Sequence, residues 1–426
     1  MLYFLSLIGL LILTPTSWVK SEPYNYPVAN PYAATIVGTP KAFWADLPQK
    51  IRVKTFELTV FEDREYPDLL WYNEELRYSL AYQKERAPLI FIIAGTGAGY
   101  NSSKMQILQK AFFQAGFHVL SLSSPTHPNF IVSASRTGFP GHIVEDSQDL
   151  YRVMQLAWHQ VQDRIEVSQF FLTGYSLGAS QAAFVSKLDE EKRIFNFQKV
   201  LLINPAVSLY TSAKILDDMF DQNIPGGKDN VQNVRNFMDR MFHAFSEAYQ
   251  DEDFVDFSGD FLYAAYKEQK PPEERLEALI GLSFRMSSSS MVFTSDVMTN
   301  SGYIKPKNLV LSSTASLSDY GKVAFRVSFL DYFHELFSPY FQAKRPGLTK
   351  QALIESLSLK SIDAYLRRAQ KISLVTNADD VILAPGELAY LRDVFGTRAK
   401  IYPRGGHCGN MSYRDNVGYM TRFFMR

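Results

Sequence analysis

Short, continuous apolar runs alternate with helical patterns through the first half of the chain. Among these runs, 88–93 is apolar at every position, which is typical of a central parallel strand buried on both faces. The segments between them, at 102–115 and 144–162, carry apolar residues at helical spacing. This alternation predicts a doubly wound, mostly parallel sheet. The runs are residues 88–93, 118–122, 170–172 and 199–204.

The strand signal continues at both ends of the chain. Residues 51–61 and 70–82 are rich in alternating, β-branched and aromatic positions, which predicts an antiparallel opening hairpin. Two further strands are predicted at 371–376 and 400–402, with a helix at 386–395 between them. A closing helix then runs to the end of the sequence.

Between these two parts, the chain shows helical spacing and hardly any strand signal. Two sets of apolar positions each fall on one helical face, and Gly-Gly, Pro-Pro and Pro-Gly steps mark turns between them. We expect this segment, 206–365, to be a large, mainly helical cap inserted into the sheet domain, with a minority of its aromatic residues lining a substrate cavity. The first face comprises Val231, Val234, Phe237, Met238, Met241, Phe242 and Phe245, and the second comprises Val323, Val327, Leu330, Phe333, His334 and Phe337.

The chain therefore divides into a sheet domain in two parts, 51–205 and 366–426, with the cap 206–365 between them. Residues 22–50 contain five prolines. Because proline interrupts helices and strands, we expect this segment to be an extended lead-in on the surface, without regular elements.

The first residues carry a targeting signal. Residues 2–13 form a nearly unbroken apolar run of about a dozen residues, which is too short to span a bilayer comfortably. Small or modest residues follow as far as Ser21, so we predict a secretory signal peptide at 1–21 and an exported protein, periplasmic or secreted. No Lys or Arg precedes the run, and an uncleaved N-terminal membrane anchor is the alternative.

The composition of the chain argues against several classes of binding partner and cofactor. The 44 Lys and Arg residues equal the 44 Asp and Glu residues, so no basic excess favours nucleic acid. Cys408 is the only cysteine, which excludes an intrachain disulfide and a cysteine-based metal site. The glycines in the segment 94–99 do not have the spacing of a dinucleotide-binding loop. We expect no metal and no organic cofactor.

The segment 170–183 carries the strongest chemical signal. Its β-prone start stops at Gly-Tyr-Ser-Leu-Gly, residues 174–178, and the small residues that follow favour a helix. A serine at the tip of such a strand–turn–helix step needs small residues two positions before and after it, because strand and helix approach closely there. Gly174 and Gly178 meet this need, so we predict that Ser176 is a nucleophile.

A serine hydroxyl is a weak nucleophile at neutral pH and needs a base within hydrogen-bond reach. His407 is the candidate, because it lies in a Gly-Gly-His-Cys-Gly loop after the last predicted strand, where small neighbours let the imidazole reach a neighbouring strand end. His127 and His142 follow the fourth strand and are candidates for substrate contact. We expect Cys408 to be a small apolar filler rather than a reacting thiol.

The order of serine, carboxylate and histidine along the chain, each after a strand, resembles that of the α/β-hydrolases. The resemblance covers 51–205 and 366–426 and implies the α/β-hydrolase fold. The family pattern Gly-x-x-Asp-x-x-aliphatic implies Asp380 as the acid that orients the histidine. Asn377 replaces the glycine, a position where asparagine can also adopt a left-handed turn. Asp379 is the alternative acid, and its other possible roles are a helix N-cap or simple exposure to solvent.

The resemblance also implies two backbone N–H donors for a tetrahedral oxyanion. Leu177 directly follows the serine at the positive end of its helix and supplies the first. Ala-Gly-Thr at 94–96 aligns with the family's His-Gly-x, which makes Thr96 the second donor and Gly97 the alternative.

Together these residues imply a serine hydrolase that acts by acyl transfer. A small-molecule ester with an apolar acyl part is the favoured substrate, because the predicted cap is rich in apolar faces. A serine peptidase or amidase is the alternative within the enzymes. A binding module that keeps the fold without catalysis is the alternative from outside them.

Overall fold

The computed structural model of this protein describes residues 24–224, 232–233, 235–237 and 266–426. The predicted signal peptide, 1–21, lies outside the described residues. Among the helices that are described, none combines the length and the apolar character needed to cross a membrane. The strands of the central sheet are β1 Val53–Leu58, β2 Leu76–Ala81, β3 Ala87–Ile93, β4 His118–Leu122, β5 Val167–Tyr175, β6 Lys199–Ile203, β7 Ile372–Asn377 and β8 Ala399–Tyr402.

The eight strands form one sheet in the order β1-β2-β4-β3-β5-β6-β7-β8. Strand β2 pairs antiparallel with both β1 and β4, and the pairs from β4 through β3 to β8 are parallel. This order, with β2 reversed, is that of the α/β-hydrolase fold. The predicted fold class is therefore confirmed, and the opening hairpin forms as predicted except that β2 begins only at Leu76, after a 3₁₀ turn at Asp68–Asn73.

Helices cover both faces of the sheet and, in the described part of the chain, make up most of the segment between β6 and β7. They are α1 Pro31–Val37, α2 Ser103–Gln114, α3 Pro128–Ser133, α4 Ile143–Val161, α5 Leu177–Lys192, α6 Leu209–Asp221, α7 Glu273–Thr299, α8 Ser318–Arg326, α9 Phe329–Tyr332, α10 Ser338–Lys344, α11 Lys350–Ser356, α12 Asp363–Arg368, α13 Glu387–Phe395 and α14 Arg414–Met425. The described parts of 206–365 form helices and contribute no strand to the sheet.

The central strand β3 shows why its apolar run is continuous. Leu89, Phe91 and Ile93 pack into the hydrophobic core formed with α4 and α5 on one face of the sheet. Ile90 and Ile92 pack into a second core, formed with α2 and α14 on the other face. Since successive strand side chains point to opposite faces, both faces must be apolar when both are covered.

The second apolar face predicted in the cap is not one continuous helix, and this part of the prediction is wrong. Helix α8 ends at Arg326, and Val327 has an extended backbone. The Ser328 and Asp331 side chains each accept a hydrogen bond from the other's backbone N–H, a capping box that begins a new helix. Val323 is 42% exposed and does not share a buried face with the residues that follow.

Helices α6 and α7 approach each other closely in the inserted segment. A Cβ atom on Gly281 of α7 would collide with the backbone N of Phe220 in α6, so the glycine permits the contact. The Phe220 ring also packs on Phe237, with centroids 6.0 Å apart. Phe237 belongs to the first predicted face, whose other residues lie outside the described residues.

The lead-in contains a helix, α1, that the proline count argued against. Pro31 occupies its first turn, where a missing N–H costs nothing, and the Asn30 side chain caps it by accepting a hydrogen bond from the Ala33 N–H at 2.9 Å. Helix α1 packs against the loop after β8, where a Cβ atom on Gly406 would collide with the Pro31 carbonyl oxygen. The lead-in is thus part of the structure around His407.

Candidate active site

Ser176 lies on a strained turn between β5 and α5. Its backbone has φ 55° and ψ −127°, a conformation that residues with a side chain rarely adopt. A Cβ atom on Gly174 would collide with the Gly178 carbonyl, and one on Gly178 would collide with the Ile93 carbonyl. Both glycines are therefore required for the turn, and the predicted strand–turn–helix geometry is present.

The loop after β8 carries the His407 ring to Ser176. The Nε2 atom of His407 lies 2.8 Å from Oγ of Ser176, and Nδ1 lies 2.9 Å and 3.1 Å from the two carboxylate oxygens of Asp380. Since a carboxylate only accepts hydrogen bonds, Nδ1–H is the donor to Asp380, which leaves Nε2 free to accept from the serine hydroxyl. The structure thus brings these three side chains into one hydrogen-bonded chain.

The Asp380 carboxylate is held from several sides. Its side chain is fully buried, and one oxygen accepts a hydrogen bond from Nδ2 of Asn204 at 2.7 Å. The other oxygen accepts from the backbone N–H of Ile382 at 3.2 Å. Asn204 was not among the residues predicted for the site. The sequence does contain a signal that could have identified it. Asn204 is a polar residue directly after β6, and β6 lies between β5 and β7 in the sheet.

Asp379 and Asn377 brace the histidine loop rather than the imidazole. The Asp379 carboxylate accepts hydrogen bonds from the backbone N–H groups of Gly405, at 3.2 Å, and Gly406, at 3.0 Å. Nδ2 of Asn377 donates to the Gly406 carbonyl at 2.8 Å. Asn377 has no left-handed backbone, contrary to expectation, because it is still the last residue of β7 and acts through its buried side chain.

The lead-in helix supplies a further contact to His407. The backbone N–H of His407 donates to Oγ1 of Thr35 at 2.9 Å, and that hydroxyl donates in turn to the Pro31 carbonyl at 2.7 Å. Thr35 was also missed, and no sequence signal could have found it, because 372 positions separate the two partners.

The surroundings of His407 set its protonation. Burial alone would lower the pKa of His407, but the Asp380 carboxylate at hydrogen-bond distance attracts the imidazolium and raises the pKa above its usual value. The Asp380 carboxylate therefore stabilises the charged form of His407.

Two of the three predicted oxyanion donors have a free backbone N–H. In the described part of the chain, no carbonyl or side chain accepts a hydrogen bond from the backbone N–H of Leu177 or of Thr96. The alternative donor, the Gly97 N–H, is engaged by Oγ1 of Thr126 at 2.8 Å. Thr126 thus braces the loop after β3, in which Ala94 stands where the family has a histidine.

His127 and His142 line neither of the two cavities at Ser176. The Nδ1 atom of His127 accepts a hydrogen bond from the Asn129 N–H at the start of α3. His142 caps α4, and its ring packs 4.4 Å from that of Phe341, centroid to centroid. Burial lowers the pKa of both histidines, so both rings are neutral where they cap their helices.

Two cavities meet at Ser176. The wider one, about 480 Å³, is lined by His407, by Cys408 and by hydroxyl groups together with apolar side chains of α7. The narrower one, about 60 Å³, is lined by Leu177 and by a mostly apolar set of side chains from α6, α7 and α9. Thr96 and Ser176 border both cavities. Cys408 is buried, as a filler would be, and its sulfur lies 3.8 Å from Nε2 of His407.

Comparisons with known proteins give distant similarities. No protein-family model and no curated protein matches the chain. Similar solved structures include Est1E from Butyrivibrio proteoclasticus, with 10% identity over 87% of this chain and 99% of that one at a TM-score of 0.38. A proline iminopeptidase from Mycobacterium smegmatis has 12% identity over 87% and 98%, with a TM-score of 0.41. The serine hydrolase CCSP0084 from Cycloclasticus zankles has 13% identity over 88% and 98%, with a TM-score of 0.42. The fold is identified from the strand order of the sheet.

Proposed function

We propose that this protein is a serine hydrolase that cleaves carboxylic esters through an acyl-enzyme. The proposal is supported above all by the continuous hydrogen-bonded chain from Ser176 through His407 to Asp380. The three residues follow three different strands, β5, β7 and β8. Packing alone does not explain why their side chains meet at a strained serine turn. A nucleophile, a base within reach and an orienting acid are what acyl transfer requires.

In the acylation step, Oγ of Ser176 attacks the ester carbonyl carbon while Nε2 of His407 takes the hydroxyl proton. The backbone N–H groups of Leu177 and Thr96 stabilise the negative charge that develops on the carbonyl oxygen, each by about 3 kcal/mol. The ester C–O bond then breaks, and His407 returns the proton to the leaving alcohol. Asp380 keeps the imidazole oriented and stabilises its charged form throughout.

Deacylation repeats the sequence with water as the nucleophile. His407 takes a proton from the water, hydroxide adds to the acyl carbon, and the bond to Ser176 breaks as Oγ recovers the proton. The products are the free acid and the regenerated serine, so no metal or redox partner enters the reaction.

The lining of the cavities favours an ester over an aminopeptidase substrate. An enzyme that removes N-terminal residues must hold a free ammonium group, for which a carboxylate is the usual partner. Among the described residues that line either cavity, none is Asp or Glu. The wide cavity does contain Lys104, which would repel an ammonium group.

Turnover of nitrophenyl esters by the purified protein, compared with turnover of aminoacyl nitroanilides, tests this proposal. We expect ester hydrolysis that Ser176→Ala abolishes without unfolding the protein. Preferred hydrolysis of the amides would favour the peptidase alternative, and no turnover of either by the folded protein would favour the binding module. We further propose export, which predicts that the mature chain begins at Glu22 when the full sequence is expressed in a bacterial host.

A further inference from the structure

The two cavities at Ser176 differ in size and in the side chains that line them. From this difference we infer that the enzyme hydrolyses esters of short apolar acids, of about two to five carbons, whose alcohol part is larger and more polar. This inference rests on the proposed function and names its substrate class.

The positions of His407 and Leu177 assign the two parts of the ester to the two cavities. His407 lines the wide cavity and not the narrow one, whereas Leu177 lines the narrow cavity and not the wide one. Because the imidazole gives its proton to the leaving oxygen, the alcohol must depart on the side that His407 faces. The acyl chain, which stays on Ser176, then extends into the narrow cavity.

The volume of the narrow cavity limits the acyl chain. It measures about 60 Å³, against about 480 Å³ for the wide one. A volume of that size holds only about two to five water-sized groups. An acyl chain of eight carbons therefore does not fit without displacing the walls.

Two phenylalanine rings form part of the narrow cavity's wall. Phe284 of α7 and Phe329 of α9 lie with their ring centroids 6.1 Å apart. Leu209 and Ala213 of α6 add apolar surface, and neither Asp, Glu, Lys nor Arg is among the described residues that line it. The cavity therefore suits a hydrocarbon chain and disfavours a charged acyl group.

A buried ionic cluster fixes this wall. Nη2 of Arg285, the residue after Phe284, lies 3.2 Å from an Asp217 oxygen and 3.0 Å from an Asp221 oxygen. The other Asp217 oxygen accepts a hydrogen bond from the backbone N–H of Leu330, the residue after Phe329, at 3.0 Å. Because the Arg285 and Asp217 side chains are only 4% and 3% exposed, moving either ring would disturb a desolvated charge pair.

The alcohol side has a different character. The wide cavity is bordered by Ser102, Ser103, Ser283 and Ser287 as well as by apolar residues. Such a surface can solvate hydroxyl or amide groups on the leaving alcohol better than the mostly apolar narrow cavity can.

Hydrolysis of nitrophenyl acetate, butanoate, hexanoate and octanoate tests the inference through the ratio of their kcat/KM values. We expect kcat/KM to fall by about tenfold or more between butanoate and octanoate. Phe329→Ala should raise the octanoate-to-acetate ratio by about tenfold, because it lengthens the narrow cavity. Ala213→Leu should act in the opposite direction and restrict turnover to acetate.

Phe325→Ala is the matched control. Phe325 is a half-buried ring four positions before Phe329, but it packs on Phe220 and lines neither cavity. We expect it to leave the octanoate-to-acetate ratio unchanged.

A wild-type protein that hydrolyses octanoate as fast as acetate would overturn the inference while leaving the proposed function intact. So would a folded Phe329→Ala variant with the wild-type ratio. Should Phe329→Ala fail to fold, the wild-type series and Ala213→Leu still decide the question. Failure of the proposed function looks different, because no ester of any length would then be hydrolysed.

Discussion

Thr35 and His407 are joined by a hydrogen bond of 2.9 Å, although 372 positions separate them in the sequence. The acceptor is a side-chain hydroxyl in α1 and the donor is the backbone N–H of the residue whose ring faces Ser176. The N-terminal segment thus acts as a brace for the loop that carries His407.

Replacing Thr35 by valine, which has nearly the same shape, removes this acceptor and leaves the His407 N–H unpaired. A net hydrogen bond contributes about 1 kcal/mol, so we expect kcat to fall about three- to tenfold. KM should change less, since the cavity keeps its volume. Thr35→Ser should restore kcat, and an unchanged kcat in the valine variant would show that the contact does not position the base.

The two neighbouring aspartates should differ sharply in kinetics. Asp380→Asn removes the charge next to the imidazole and is expected to lower kcat on the order of 10⁴-fold, as in other triads of this type. Asp379→Asn affects only the loop, where an amide oxygen can still accept one of the two hydrogen bonds, and should cost about tenfold or less. Steady-state ester hydrolysis distinguishes them, and equal losses would contradict the assignment of Asp380.

The pH dependence of kcat/KM should reveal the environment of His407. Only the neutral imidazole can take the serine proton, so activity rises as pH rises through the pKa of His407. Asp380 raises that pKa, and the rising limb should therefore lie above the usual histidine value of about 6.5. In Asp380→Asn the limb should move to lower pH. A limb below 6 in the wild type would mean that burial outweighs the carboxylate.

Gly178 should tolerate no side chain. In Gly178→Ala the added methyl group would collide with the Ile93 carbonyl in the core of the sheet, so we expect a loss of more than about 3 kcal/mol in the free energy of unfolding. Gly321→Ala is the control, because it lies within α8 with no atom near a Cβ. It should be neutral or stabilise by up to about 1 kcal/mol. Denaturant unfolding measures both, and similar stabilities would contradict the close packing at the turn.

Local patterns were sufficient to predict much of the fold. The strand at 118–122 lies at its predicted bounds, and the continuous apolar run 88–93 correctly predicted a central strand with both faces buried. The serine turn could be predicted because its two glycines are imposed by contacts within a few residues of Ser176 and by the adjacent strand.

Features that depend on distant segments could not be predicted. Pro31 was interpreted as a helix breaker, yet at the start of α1 it favours the helix. The roles of Thr35, Asn204 and Asn377 depend on hydrogen bonds to residues far away in the sequence or on neighbouring strands. Nor does helical periodicity reveal a break such as the one at Val327, where Ser328 and Asp331 begin a new helix.

Labelling with a fluorophosphonate probe tests the central claim most directly, because the reagent reacts with activated serines and requires no knowledge of the substrate. We predict one covalent adduct on the folded wild-type protein, located on Ser176 by peptide mass spectrometry. It should be absent from Ser176→Ala, strongly slowed in His407→Ala and absent after denaturation. A folded wild-type protein that stays unlabelled, or that is labelled on another residue, would contradict the account.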